Sequence, residues 1–224
     1  MTLLLSDVEL HRHPRALHIR SATALAVTSS AVVGSELPHT RHIVNMGVSN
    51  RYSGDHVGDL HEVARELHID EPFVGMLTAA RLEMAYVAVE RRGDVSLAVV
   101  ATVGLSQPTA AGRTRALPDL TPPPGTINIV LLIDGRVPPS ARVNAVITAT
   151  EAKTLALFET DVRTVEGFPA TGTGTDAIVV ASTERGKWLE YSGPLTPIGE
   201  LIGDTVRQAV SRATTAWRTV VAAQ

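Results

Sequence analysis

Hydrophobic and polar positions along this chain lay out strands first and long helices later. Leu3–Leu5 and Ala16–Ile19 read as short strands, Ser21–Val33 as a small-residue stretch, and His42–Val48 as a further apolar strand. Asp59-Leu60-His61-Glu62 has capping-box spacing, with Asp59 as the cap. It opens a helix whose buried face is Leu60, Val63, Ala64 and Leu67. Met84–Glu90 and Ser96–Gly104 are Val- and Ala-rich strands joined at Arg92-Gly93-Asp94 as a hairpin. Thr126–Ile133 is a strand and Pro138–Phe158 a helix, and Ala177–Ala181 is a strand apolar enough to be buried on both faces. Thr196-Pro197 starts the last helix, with an apolar stripe from Ile198 through Leu201, Ile202, Val206, Ala209, Val210 and Ala213 to Trp217 and Val220. Between these elements, Ser106–Gly125 carries five prolines and no period. A loop that long in a compact domain is functional or disordered, and it is expected to be mobile without ligand. Strands and helices are interspersed without strict βαβ order. The expected fold is α+β: a mixed, largely antiparallel sheet covered by helices, in a single domain over residues 1–224.

Composition narrows the class. An apolar fraction of 44% with 19% charge argues for a buried core, and a net charge of −3 gives no footprint for nucleic acid. No apolar run reaches membrane-spanning length, and Leu3–Leu5 runs straight into Ser6-Asp7, unlike a signal peptide. The absence of cysteine removes disulfides, thiolate zinc sites and cysteine nucleophiles, and fits a cytoplasmic location. Of 20 basic residues only Lys153 and Lys187 are lysines, so a lysine inside a motif carries some information. All eight histidines lie between His11 and His68. His56, Asp59 and His61 do not have metal-ligand spacing, and no metal is expected. His11 and His13 read as an exposed turn, His42 as a strand end.

Two strings carry the candidate chemistry. In Thr171-Gly172-Thr173-Gly174-Thr175-Asp176, glycines let backbone N–H groups approach a ligand, threonines add hydroxyls, and Asp176 stands at the mouth of a buried strand. Asp176 reads as a general base, a ligand-orienting acceptor or a cap. On the helix, Val143, Val146, Ile147, Leu157 and Phe158 centre the expected buried face. Thr150 and Thr154 fall in its middle, with Glu151 and Lys153 on opposite borders. Such a helix either borders a polar cleft or lets its threonines bond its own carbonyls. Asn128, after Gly125-Thr126-Ile127, and Asn45, inside an apolar run, are further pocket candidates. The Gly-Thr loop lacks the Lys-Ser ending of a P-loop and precedes a strand, which disfavours a nucleotide enzyme.

Taken together and in order, Ser29-Ser30-Ala31, Val74-Gly75-Met76-Leu77-Thr78-Ala79-Ala80, Gly125–Asn128, Thr148–Lys153, Thr171–Asp176 and Pro197-Ile198-Gly199-Glu200 resemble the adenosylcobinamide amidohydrolase family over about residues 29–210. The resemblance implies hydrolysis of the amide that joins the corrin propionyl side chain to aminopropanol, giving adenosylcobyric acid in corrinoid salvage for cobalamin biosynthesis. It implies a small-molecule corrinoid partner, with cobalt arriving only inside the substrate and no other cofactor. No nucleic-acid or membrane partner is expected, and a homo-oligomer is left open. The catalytic set expected is Asp176, Glu151, Lys153 and Thr175. The expected substrate contacts are Asn45, Thr78, Asn128, Thr150, Thr171, Gly172, Thr173 and Gly174. Asp176 or Glu151 would activate water and Lys153 would stabilise the oxyanion or protonate the amine, while a threonine nucleophile is the competing route. A corrinoid-binding or carrier protein without catalysis, or a hydrolase of another amide, are the alternatives. The family leads one to expect paired glycines after Ser-Ser-Ala. Here Gly34-Ser35-Glu36 stands instead, which would alter affinity or substrate range if that turn touches the corrin.

Overall fold

The computed structural model describes residues 1–115 and 125–222. Its strands are β1 (Thr2–Leu5), β2 (Val8–His13), β3 (Ala16–Ser29), β4 (His39–Gly47), β5 (Val74–Thr78), β6 (Tyr86–Arg92), β7 (Val95–Val103), β8 (Pro108–Thr109), β9 (Ile127–Asp134), β10 (Gly172–Thr173) and β11 (Ala177–Ser182). The helices are α1 (His56–Glu66), α2 (Pro139–Glu159) and α3 (Pro197–Ala222). Nine strands form one mixed sheet in the order β1-β2-β3-β11-β9-β7-β6, with β4 branching from β3 and β5 from β4. Among the described residues, β9/β11 and β4/β5 are the strand pairs that run parallel. The α+β expectation holds.

The sheet doubles over on itself at β3. Residues 16–20 of that strand pair with β2 and β4, a register shift intervenes between Arg20 and Leu25, and residues 26–29 pair with β11. The period of two in β7 and β9 shows what each face meets. Leu97, Val99, Ile129 and Leu131 pack with α2 and α3 in one core, whereas Ala98, Val100, Val130 and Leu132 pack with Leu10, Ile19, Ile43 and Met76 in a second. A third core sets Val44 and Met46 against Leu60, Val63 and Ala64 of α1. The layers are therefore helices, sheet, sheet, helix. Central strands buried on both faces explain the unbroken apolar runs of β9 and β11.

Several local expectations need correction. Ala16–Ile19 and most of Ser21–Val33 are one 14-residue strand. His11 and His13 lie in β2 rather than in a turn. Asp55, not Asp59, caps α1, accepting from the Val57 amide, while Asp59 takes the Tyr52 hydroxyl. Thr196 caps α3 as expected, bonding the Gly199 amide at 3.0 Å. The Ser106–Gly125 segment, expected to be structureless, contributes β8, which pairs with β10 as a two-stranded ribbon; residues 116–124 of it lie outside the described residues.

The largest correction is the face of α2. Val143, Ile147 and Phe158 are 51%, 49% and 64% exposed. The buried face is a stripe of small residues, Ala141, Ala145, Ala149, Ala152 and Ala156. Alanine contributes little to a hydrophobicity sum, yet its size lets α2 lie close to the sheet and to α3.

Candidate active site

The strings singled out in the sequence gather at one end of the doubled sheet. β9 and β11 start there side by side, Ser30 takes the Ile178 amide at 3.0 Å, and the ribbon β8/β10 closes over the end of the sheet. Lys153 reaches from α2 to Asp176, its Nζ 2.5 Å from Oδ2. The two side chains are 8% and 14% exposed. A pair this dry depends on each partner, because an unpaired charge there is costly.

Asp176 has no spare acceptor capacity. Besides Lys153, its oxygens accept from the Ile127 amide at 3.0 Å, the Thr173 amide at 3.2 Å and the Thr173 hydroxyl at 2.5 Å. Four donor groups fill the roughly four lone-pair sites of a carboxylate. Lys153 is differently placed: an ammonium has three N–H donors, and Asp176 is its one partner among the described residues.

Gly172 makes the pair possible. A Cβ there would lie 2.3 Å from Asp176 Oδ2 and 2.7 Å from Lys153 Nζ. The alternation of Gly and Thr is thus a close-packing requirement as well as a turn signal. The threonines fasten the loop. Thr173 and Thr175 both bond the Gly125 carbonyl, Thr126 bonds Thr175, and the Thr171 hydroxyl accepts from the Ala111 amide at 2.9 Å.

Between α2, the loop and residues 109–115 opens a cavity of about 770 Å³, lined by Lys153, Asp176, Thr150, Thr154, Thr171, Gly172, Thr173 and Gly174 among others. Seven of these, all but Thr154, are among the catalytic and substrate-contact residues expected from the sequence, and Thr175 sits just behind them, held in the seam between the loop and β9. Glu151 does not join them. It is exposed on the far side of α2, outside the cavity lining and without an ion-pair partner among the described residues. Its predicted place depended on the wrong buried face. Thr150 lines the cavity but donates to the Val146 carbonyl of its own helix. Asn45, Thr78 and Asn128 lie elsewhere, buried between the two sheet layers. Asn128 donates to Asn45 at 2.8 Å, and Asn45 donates to Thr102, which touches Thr78. The Oδ1 atom of Asn128 has no hydrogen-bond partner among the described residues. Gly34-Ser35-Glu36 also lies away from the cavity. Gly34, at φ 71°, packs on the Phe73 carbonyl beside a separate hollow of about 580 Å³.

Sequence reasoning missed the β8/β10 pairing that makes Thr109–Arg115, part of the Ser106–Gly125 segment it read as functional or disordered, one wall of the cavity. It also missed a hydrogen-bonded chain on the outer face of the second layer, from half-buried Glu71 to buried His42 at 2.9 Å and on to buried His18 at 2.9 Å. Burial, and the positive charges that His42, His11 and Arg20 present when protonated, push the His18 imidazole down to about 4.

The sequence model of the adenosylcobinamide amidohydrolase family matches residues 1–222. The chain belongs to that family. The match extends beyond residues 29–210 and takes in the histidine-rich segment at the start. An adenosylcobinamide amidohydrolase of Halobacterium salinarum is 41% identical over 139 residues, 60% of this chain and 55% of that protein. One of Methanosarcina mazei is 32% identical over 160 residues, 67% of this chain and 70% of that protein. The chain thus aligns with little more than half of the first relative. Among solved structures, the PH0078 protein of Pyrococcus horikoshii OT3 is similar with a TM-score of 0.45 and 13% identity, over 95% of this chain and 81% of that one. No helix of the described residues is long and apolar enough to cross a membrane.

Proposed function

We propose that this protein hydrolyses the amide linking aminopropanol to the corrin propionyl group of adenosylcobinamide, releasing adenosylcobyric acid and serving corrinoid salvage. Family membership supports the substrate class. The observation that carries the chemistry is the Lys153–Asp176 pair, buried at the wall of a cavity large enough for part of a ligand of that size.

Lys153 is the electrophile. Its two remaining N–H donors stabilise the negative charge that builds on the carbonyl oxygen, and an ammonium in so dry a place acts more strongly than in water. The Gly174 amide, which donates to no described residue, is the second donor. Asp176 is a positioning residue: it holds Lys153 in place and is too fully occupied to serve as a base. Water, rather than Thr175, attacks, because the Thr175 hydroxyl is already committed to the Gly125 carbonyl. The C–N bond breaks, the water oxygen stays on the new carboxylate, and both water protons finish on the departing aminopropanol nitrogen. Glu151 has no part in this scheme. Cobalt enters within the substrate and takes no step. Mass spectrometry of adenosylcobinamide incubated with the folded protein tests the reading. Adenosylcobyric acid with free aminopropanol is expected; intact substrate would leave a corrinoid-binding protein.

A further inference from the structure

A second constellation stands on the outer face of the second sheet layer, away from Lys153. His11 of β2, His18 of β3 and His42 of β4 line another cavity, of about 720 Å³, beside the C-terminal end of α1. Hydrogen bonds fix which nitrogen of each ring carries its proton. Arg41 grips the Glu71 carboxylate with two N–H groups, at 2.6 and 3.0 Å, and holds it ionised. Glu71 can then only accept, so the His42 proton is on Nε2, which donates to it at 2.9 Å. His42 Nδ1 is therefore a bare acceptor and takes the proton of His18 Nε2 at 2.9 Å. That leaves His18 Nδ1 with a free lone pair. The His11 ring repeats the pattern: its Nε2 donates to the Glu9 carboxylate at 3.1 Å, and its Nδ1 is left bare. Neither Nδ1 has a hydrogen-bond partner among the described residues, although His18 is only 6% exposed.

Neighbouring imidazole lone pairs, each backed through the other ring nitrogen by a carboxylate or a carboxylate-bound imidazole, are a donor set for a transition-metal ion. His11 and His18 are directly opposed across the antiparallel β2/β3 ladder, where side chains on one face stand closest. Their ring centroids are 5.9 Å apart. Metal–nitrogen bonds of about 2.0–2.1 Å put two imidazoles on one ion at a centroid separation of roughly 5–6 Å. We propose that His11 and His18 chelate a divalent transition-metal ion of the imidazole-preferring kind, such as Zn²⁺, through their Nδ1 atoms. Among the described residues no group of three or more His, Asp or Glu side chains could hold a metal, so the pair supplies two ligands and water fills the other positions. Magnesium and calcium, which take oxygen ligands, do not suit it. The ion clips β2 to β3 across their ladder. This inference is independent of the function proposed for the Lys153 cavity.

The test titrates Zn²⁺ alone, by calorimetry and into the millimolar range, into the whole chain carrying no affinity tag. A single site per chain is expected. His11→Gln and His18→Gln each weaken binding at least about tenfold, whereas His68→Gln, in the same cavity, and His56→Gln, on α1, stay within about threefold. Zn²⁺ should raise the melting temperature of the wild type and leave that of His11→Gln unchanged. His11 is the partner outside the core, so its variant keeps the test decisive if His18→Gln fails to fold. Absence of binding in the wild type, or unchanged affinity in His11→Gln, would overturn the proposal. A larger loss at His68 or His56 than at His11 would also overturn it, because the ion would then sit elsewhere.

Discussion

At the scale of single residues, the site is a matter of close approach. The Gly-Thr string was legible because glycine is needed where backbone, ammonium and carboxylate crowd together, and Gly172 is that place. Lys153 stood out for its rarity and Asp176 for ending the string, and the two meet at 2.5 Å. Their division of labour was not legible, since three of the donors that saturate Asp176 are the distant Ile127 amide and Lys153 and the backbone amide of Thr173, and only the Thr173 hydroxyl is a local side chain. Gly172→Ala should therefore be a functional lesion more than a folding one. The added methyl displaces the ends of two side chains rather than backbone. Overpacking of that kind costs about 1–3 kcal/mol, or a few degrees of melting temperature in a chain this size. Turnover should fall at least about tenfold. An alanine variant with normal turnover would mean that the pair tolerates displacement and does not set the geometry of the reaction.

At the scale of elements, β7, β9, β11 and α3 were readable because large apolar side chains do the burying there, whereas β2 and β5 were not read as strands. Val, Ile and Leu mark β7, β9, β11 and the α3 stripe without ambiguity. α2 was misread because its packing depends on smallness. Position 149 is fully buried while position 143 is half exposed, the reverse of what size suggests. That single rotation moved Glu151 into the expected site and put Ile147 and Phe158 into the expected core. It also leads to a stability prediction. Ala149→Leu should lower stability by about 1–3 kcal/mol in urea unfolding, since no space remains beside the sheet and α3. Val143→Ala should stay within about 0.5 kcal/mol. Equal effects at the two positions would contradict the packing described for α2. The β8/β10 ribbon was illegible for a different reason: two-residue strands have no period to detect.

At the scale of the whole molecule, layers explain why polar clusters buried away from the cavity contribute to the fold. The Asn45–Asn128 group sits between the layers, and the His18–His42–Glu71 chain on the outer one. Neither was visible in sequence, because β3, β4 and the segment after α1 meet only through the fold. The histidine chain gives the protein a pH dependence of known sign. His18 is 6% exposed and held near 4, against 6.5 when unfolded. The unfolded chain binds that proton first, so the stability it contributes is complete above pH 6.5 and is lost as pH falls toward 4. The limit set by this shift is about 3 kcal/mol. Urea unfolding of the wild type and of His18→Gln should draw closer by about 2 kcal/mol between pH 7.5 and 4.5. A constant difference would show that His18 is not buried neutral.

The account rests on Lys153, and not Glu151, meeting the amide of a corrinoid. Steady-state release of aminopropanol from adenosylcobinamide by the wild type, Lys153→Met and Glu151→Gln decides it. The prediction is a loss of at least about a hundredfold in kcat for Lys153→Met and a change within about twofold for Glu151→Gln. Full activity without the lysine amine, or a collapse on neutralising Glu151, would contradict the site described here.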